Sequence, residues 1–326
     1  MLTPQHALER AQNLVSQAMT AGADAADAVY VCEASTEVQV RLGQLEDVAR
    51  SEGEDIGLRV FVGQRSATIS SSNMNPDILA GLVTRAIDMA KEAPEDQYAG
   101  LAPQDRLLTG SIPDFDSDDG LDPDPALLRA AALECEDAAR AVPGVSNSEG
   151  AGASAGRSIF ALATSDGFAG VKSGSGYSIS ASVLSGDGDA KERDYDWHSA
   201  RHMEDLDSAT KIGTRAGERA VKRLNPGTVK SGQMPVVFDP RVGGSFVGHL
   251  LGGISGSAIA RKTSFLLESL GAQLFDSSIS IVDDPHRMRG LGSRAFDGEG
   301  LPTARRSIID KGVLTGWLME SASARQ

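Results

Sequence analysis

The stretch EVQVRLGQLEDVARSEGEDIGLRVFV, Glu37–Val62, decides the fold class. Val38, Val40 and Leu42 alternate with Glu37, Gln39 and Arg41, and Ile56, Leu58, Val60 and Val62 alternate with Gly57, Arg59 and Phe61. A period of two sends one set to a buried sheet face and the other to its far side, so two strands are predicted. A third runs from about Arg65 to Ser70. Upstream, Thr3-Pro4 offers a cap and a first-turn proline to a helix whose Leu8, Ala11, Val15, Ala18 and Met19 share one face, and Gly22 stops it. Downstream, Asn75-Pro76 repeats the device before the stripe Leu79, Leu82, Val83, Ala86 and Ala90. Helix, strands and helix predict an α+β domain over 1–92.

Past Lys91 the periodicity stops. Pro94, Pro103, Pro113 and Pro123 break the chain while Asp114, Asp116, Asp118, Asp119, Asp122 and Asp124 crowd together, which predicts an acidic, solvated and self-repelling linker over 93–124. Calcium is the alternative for such a run, but EF-hand spacing with its final glutamate is absent. A second helix-first domain is predicted over 125–228. Leu128, Ala131, Cys135, Ala138 and Val142 form its first stripe, and strands follow at Ile159–Thr164 and around Tyr177, Ile179, Ala181 and Val183. A helix from about Asp205 to Leu224 closes it. Over 229–326 the sequence MPVVF, Met234–Phe238, reads as a buried strand handing over to a helix capped by Asp239 and begun by Pro240. In that helix Val242, Phe246, His249, Leu250 and Gly253 recur at helical spacing, placing His249 on or beside the packed face, and Gly252-Gly253 ends it. Hairpins mixed with helices favour α+β, with mainly antiparallel sheet in the second domain, over a doubly wound parallel sheet.

Composition narrows the function. The 326 residues carry a net charge of -14, which argues against direct nucleic-acid binding through phosphate neutralisation. Cys32 and Cys135 stand far apart in unlike contexts, so reduced structural thiols are expected rather than a disulfide or thiolate metal site. MLTPQHALERAQ has no basic start before an apolar core and no run approaches membrane-spanning length, so a cytoplasmic protein is expected, without membrane contact.

Several local patterns imitate active sites. Gly152-Ala153-Ser154-Ala155-Gly156 matches the G-x-S-x-G elbow, with Asp166 and His249 following, yet the residues after it read as strand rather than helix. Gly150-Ala151-Gly152 and Gly174-Ser175-Gly176 do not open a helix as phosphate cradles do. His198 and His202 have ligand spacing for a helix among Asp194, Asp196, Glu204 and Asp205, but Tyr195-Asp196-Trp197 looks extended, which weakens a metal reading. His6 and His286 read as solvated.

Three ordered blocks carry a resemblance: Arg41–Ser72; VVFDPRVGGSFVGHLLGGISGSAIARKTSFL, ending at Leu266; and GLGSRAFDGEGLPTARRSIIDKGVLTGWL, Gly290–Leu318. Together they resemble the TldD/PmbA family, described as modulators of DNA gyrase and as metalloprotease subunits. In TldD-type members the helix after the strand carries His-Glu-x-x-x-His, two zinc ligands and a water-activating glutamate. Here that motif falls on Gly244, Ser245, Phe246, Val247, Gly248 and His249, so only the last histidine is present. The departure resembles the TldE/PmbA-type partner. The resemblance implies no cofactor in this chain, zinc in a TldD-type partner, an unfolded peptide as substrate, and processing of small peptides. It also implies that relatives continue beyond Gln326, so that the 229–326 domain is incomplete.

Ser293–Gly300 packs Arg294, Asp297 and Glu299 into a glycine-bearing loop ahead of a hairpin-like RRSIIDKGVLTGWL. Arg294 paired with Asp297 or Glu299 is the structural reading. The resemblance adds a functional one, in which His249, Arg294, Asp297 and Glu299 contact peptide or partner. The expectation is therefore a non-metal subunit of a two-chain peptidase. The alternatives are a peptide-binding or scaffold homo-oligomer such as a homodimer, and hydrolysis at a metal assembled around His198 and His202.

Overall fold

The structure, a computed structural model, describes residues 3–326. Helix α1 (Pro4–Thr20) precedes the meander β1 (Ala25–Arg41), β2 (Gln44–Val62) and β3 (Arg65–Ser71), and α2 (Pro76–Glu92) closes the first half. The second half repeats the order: α3 (Pro125–Arg140), β4 (Val145–Thr164), β5 (Ala169–Ser185), β6 (Glu192–Ala200) and α4 (Ala209–Lys222). Their strands join in one antiparallel sheet ordered β3-β2-β1-β4-β5-β6, so the sheet reads alike from either edge. The sequence offset that carries Pro4 onto Pro125 also carries Ser35 onto Gly156, and those two residues face each other in the β1–β4 ladder. An approximate two-fold axis therefore passes between them, and the two α+β units share one sheet.

All four helices cover the same sheet face. Even-numbered β1 residues and odd-numbered β4 residues supply both helix-side cores, Tyr30, Cys32, Ile159 and Ala161 beneath α1 and α2, and Val38, Val40, Ala151 and Ala153 beneath α3 and α4. The opposite face presents Val29, Phe160 and Leu162, and these pack against Leu107 of the connector and Phe296 of the C-terminal region. Strands β1 and β4 are much longer than the alternation predicted, because Ala and Gly positions hide the period. Gly150–Gly156 lies within β4, so no elbow turns there. At Gly150, φ is +117° and a Cβ would stand 2.7 Å from the Val40 carbonyl oxygen.

The acidic connector is not the solvated, self-repelling segment expected. Asp118 takes two hydrogen bonds from Arg157 at 3.0 and 2.8 Å, Asp119 accepts from Tyr177 at 2.6 Å, Asp122 meets Arg50, and Asp116 meets Arg289 at 2.6 Å. These four carboxylates each have a partner outside the run, while Asp114 and Asp124 accept only backbone N–H groups two residues on, so the run is an adhesive strap rather than a repelling chain.

The C-terminal region contains α5 (Pro240–Gly253), α6 (Gly256–Ala260), a small sheet of β7 (Ile281–Asp283), β8 (Arg306–Asp310) and β9 (Val313–Leu314), and α7 (Ser321–Arg325). The cap Asp239, the proline start and the stop at Gly253 are as predicted, and RRSIID-KG-VL forms the expected hairpin. Met234–Phe238 is not a buried strand. It pairs with nothing among the described residues and its Val237 is 95% exposed. Nor is His249 on a packed face: it is exposed, as are Val242 and Phe246, and α5 buries only Leu250 and Gly253. Helical spacing identified a face of which only the C-terminal end, Leu250 and Gly253, is buried, while Phe246 further up meets only the edge-on ring of Phe238 at 4.5 Å. No helix among the described residues is long and apolar enough to cross a membrane.

Candidate functional site

Helix α5 is fixed to the sheet at its first turn. Arg241 reaches Asp194 of β6 at 2.7 Å and the Tyr195 carbonyl at 2.9 Å, while also holding Asp239 at 3.0 Å. Hydrogen bonds from the Arg241 side chain and backbone draw the Asp239 carboxyl down to about 2. The buried Asp196, two residues along β6, meets Arg215 at 2.5 Å and also Arg219, both from α4. On the exposed side of α5, Gly244 offers no donor, Ser245 no carboxylate and His249 a single imidazole. Those residues do not fit a zinc ion with a water-activating base, and no group of three potential ligands assembles among the described residues.

The histidine pair does not form a site either. His198 lies on β6 and its Nδ1 accepts the Asp207 N–H at 3.0 Å, whereas His202 is buried with Nε2 at 2.9 Å from the Asp116 carbonyl. A strand and a bend separate rings that a helix would have aligned. His6 is exposed as expected; His286 is exposed too, but its ring stacks on Phe115 at 5.1 Å and bonds Thr303 at 3.0 Å.

In the Ser293–Gly300 loop the three charged residues separate. Asp297 Oδ1 accepts the N–H groups of Glu299 and Leu301 at 2.9 and 3.0 Å, an Asx-type turn. Glu299 accepts the Ser321 N–H and hydroxyl at 2.9 and 3.0 Å, at the start of α7. Arg294 pairs with neither; among the described residues its guanidinium donates only to the Gly292 carbonyl, at 3.2 Å. Sequence proximity promised an ion pair, and the backbone N–H groups took the carboxylates instead.

Arg294 borders a cavity of about 460 Å³ enclosed by the connector, the middle of β4, the start of β5 and residues 293–296. His249 is not part of it. Phe160 and Phe296, with centroids 6.4 Å apart, give it an apolar wall. Lys172 and Arg201 complete the cationic side with Arg294. The Lys172 ammonium stands 4.9 Å from the Phe160 centroid; burial first, then the charges of Arg294 and Arg201, depress its proton affinity. Arg201 donates to the Ser175 and Leu291 carbonyls at 3.0 and 2.6 Å, and Gly174 leaves it room, since a Cβ there would lie 2.9 Å from the guanidinium. The nearby Asp118 is already committed to Arg157: burial works to raise its carboxyl, but those hydrogen bonds and the Gly120 N–H hold it low. Lys172 and Arg201 had no periodic or motif signal. Gly174 was the one local hint, and it serves a side chain rather than a phosphate.

Sequence profiles described as PmbA/TldA metallopeptidase domain 1, central domain and C-terminal domain match residues 26–90, 118–224 and 231–326. The protein belongs to the PmbA/TldD family. The Escherichia coli metalloprotease PmbA is 32% identical over 321 residues, 98% of this chain and 71% of that protein. A Haemophilus influenzae PmbA homologue is 33% identical, covering 96% of this chain and 69% of its own. A solved Bacteroides thetaiotaomicron structure, of a protein described as a candidate modulator of DNA gyrase, superposes with a TM-score of 0.91 at 27% identity, over 97% of this chain and 72% of that one. TldE of Thermococcus kodakarensis shares the fold, with a TM-score of 0.82 at 18% identity. The PmbA relatives thus carry a metalloprotease name, while α5 here lacks the donors for zinc chemistry.

Proposed function

We propose that this chain is the non-metal, TldE/PmbA-type subunit of a two-chain peptidase acting on small unfolded peptides, with zinc supplied by a TldD-type partner. The observation that carries this reading is α5. It is capped and pinned by Arg241, yet where TldD-type chains place a ligand and a base it presents Gly244 and Ser245. Its exposed Val242, Phe246 and Val247 remain available to pack against another element. The relation to PmbA proteins and the TldE-like fold support the pairing.

Co-expression with a chain bearing His-Glu-x-x-x-His tests the proposal. A stable one-to-one assembly, weakened by Phe246→Asp, is expected. A homodimer that never pairs with such a chain would contradict it and favour a scaffold role.

A further inference from the structure

The cavity beside Arg294 has a composition that the subunit role does not require. The protein is strongly acidic, and most of its arginines are matched to carboxylates, as Arg59, Arg157, Arg215, Arg241 and Arg289 are. Lys172, Arg201 and Arg294 make no ion pair among the described residues, although they converge on one cavity. Arg201 spends its terminal nitrogens on backbone carbonyls, and its buried Nε is the one buried side-chain polar atom among the described residues without a partner. No carboxylate among the described residues lies within ion-pair distance of it: of the two in the cavity lining, Asp118 is committed to Arg157 and Asp114 makes no ion pair. Three such cations in a partly desolvated concavity repel one another, and an anion relieves that repulsion.

The opposite wall restricts which anion. Phe160, Phe296, Val171 and Ile112 are apolar, and the space lies within the about 300–1,000 Å³ common for small-ligand sites. A ligand filling it needs a compact negative group on an apolar body. Building on the peptidase reading above, we propose that the cavity captures the C-terminal carboxylate of a peptide whose last residue is apolar. Arg294 and Lys172 meet the carboxylate from the mouth, Arg201 supplies charge from behind, and the terminal side chain rests against Phe160 and Phe296. Inorganic phosphate satisfies the cations but leaves that wall uncovered.

Titration of the full chain with a labelled, unstructured peptide ending in Leu-Phe, as free acid and as C-terminal amide, reads the proposal directly. The acid is expected to bind at least about tenfold more tightly than the amide, and Arg294→Gln and Lys172→Gln are each expected to weaken the acid about three- to tenfold without affecting the amide. Lys191→Gln, outside the cavity, should change nothing. Equal binding of acid and amide, no binding of the acid, or tighter binding of inorganic phosphate than of the acid would each overturn it. The acid–amide comparison uses unaltered protein, so it survives any variant that misfolds. Because binding is read on this chain alone, loss of the preference beside an active two-chain enzyme defeats only this inference. A preference retained in a chain that never pairs defeats only the subunit reading.

Discussion

Arg241 of α5 holds the buried carboxylate of Asp194, on β6, at 2.7 Å, and this contact joins the C-terminal region to the six-stranded sheet. Arg223 stands 3.6 Å from the same carboxylate and is the reserve cation. Arg241→Gln should lower stability by about 2–3 kcal/mol in urea denaturation. That is somewhat below the cost of stripping a buried ion of its only partner, because Arg223 remains.

The same anchor predicts an acid response. Asp194 and Asp239 are both held below the ordinary aspartate value, Asp239 at about 2. For Asp194, burial opposes the Arg241 bonds and loses to them. A depressed folded value means that the stabilisation is complete above the unfolded value of about 3.9 and fades as pH falls through the folded value. Amide exchange in α5 should therefore be insensitive to anchoring changes from pH 7 to 5, after allowing for the intrinsic rate, and lose protection between about 4 and 2. Unchanged protection at pH 2 would show that the anchor carries no weight.

Glu136 of α3 is fully buried and accepts the Leu42 and Gly43 N–H groups at 2.7 and 2.8 Å and the Ser148 hydroxyl at 2.5 Å. It fastens the β1–β2 turn onto the second half-domain. In Glu136→Gln one of those N–H groups faces an amide NH₂, so a loss of about 2 kcal/mol is expected by denaturation. Glu136→Ala should cost more and increase proteolysis at Leu42–Gly43.

Two helical glycines should respond with opposite sign. A Cβ on Gly213 of α4 would sit 2.0 Å from the Cys135 carbonyl oxygen, whereas one on Gly81 of α2 meets nothing within 4 Å. Gly213→Ala should cost about 1–3 kcal/mol by forcing α3 and α4 apart, and Gly81→Ala should gain about 0.5–1 kcal/mol. Thermal denaturation of the two variants checks both signs.

The sequence displayed its helix starts most clearly, because Asn75-Pro76, Asp124-Pro125 and Asp239-Pro240 each combine a cap with a first-turn proline. The ends of β1 and β4 were obscured by alanine and glycine, whose small side chains carry little period. Met234–Phe238 and the α5 face misled for a different reason: apolar spacing reports what a segment can bury, not whether a described neighbour buries it. The site was half legible. Arg294 stood in a conspicuous loop, but Lys172 and Arg201 reach the same cavity from a strand and a bend far away in sequence. No spacing rule encodes that convergence.

The most direct test measures zinc content and cleavage of an unstructured peptide by this chain alone, by a TldD-type chain alone, and by the two together. No stoichiometric zinc is expected in this chain, and full activity only in the mixture, with the metal on the partner. Metal-dependent cleavage by this chain alone, surviving His249→Ala, would contradict this expectation and show that the chemistry does not depend on a partner's zinc.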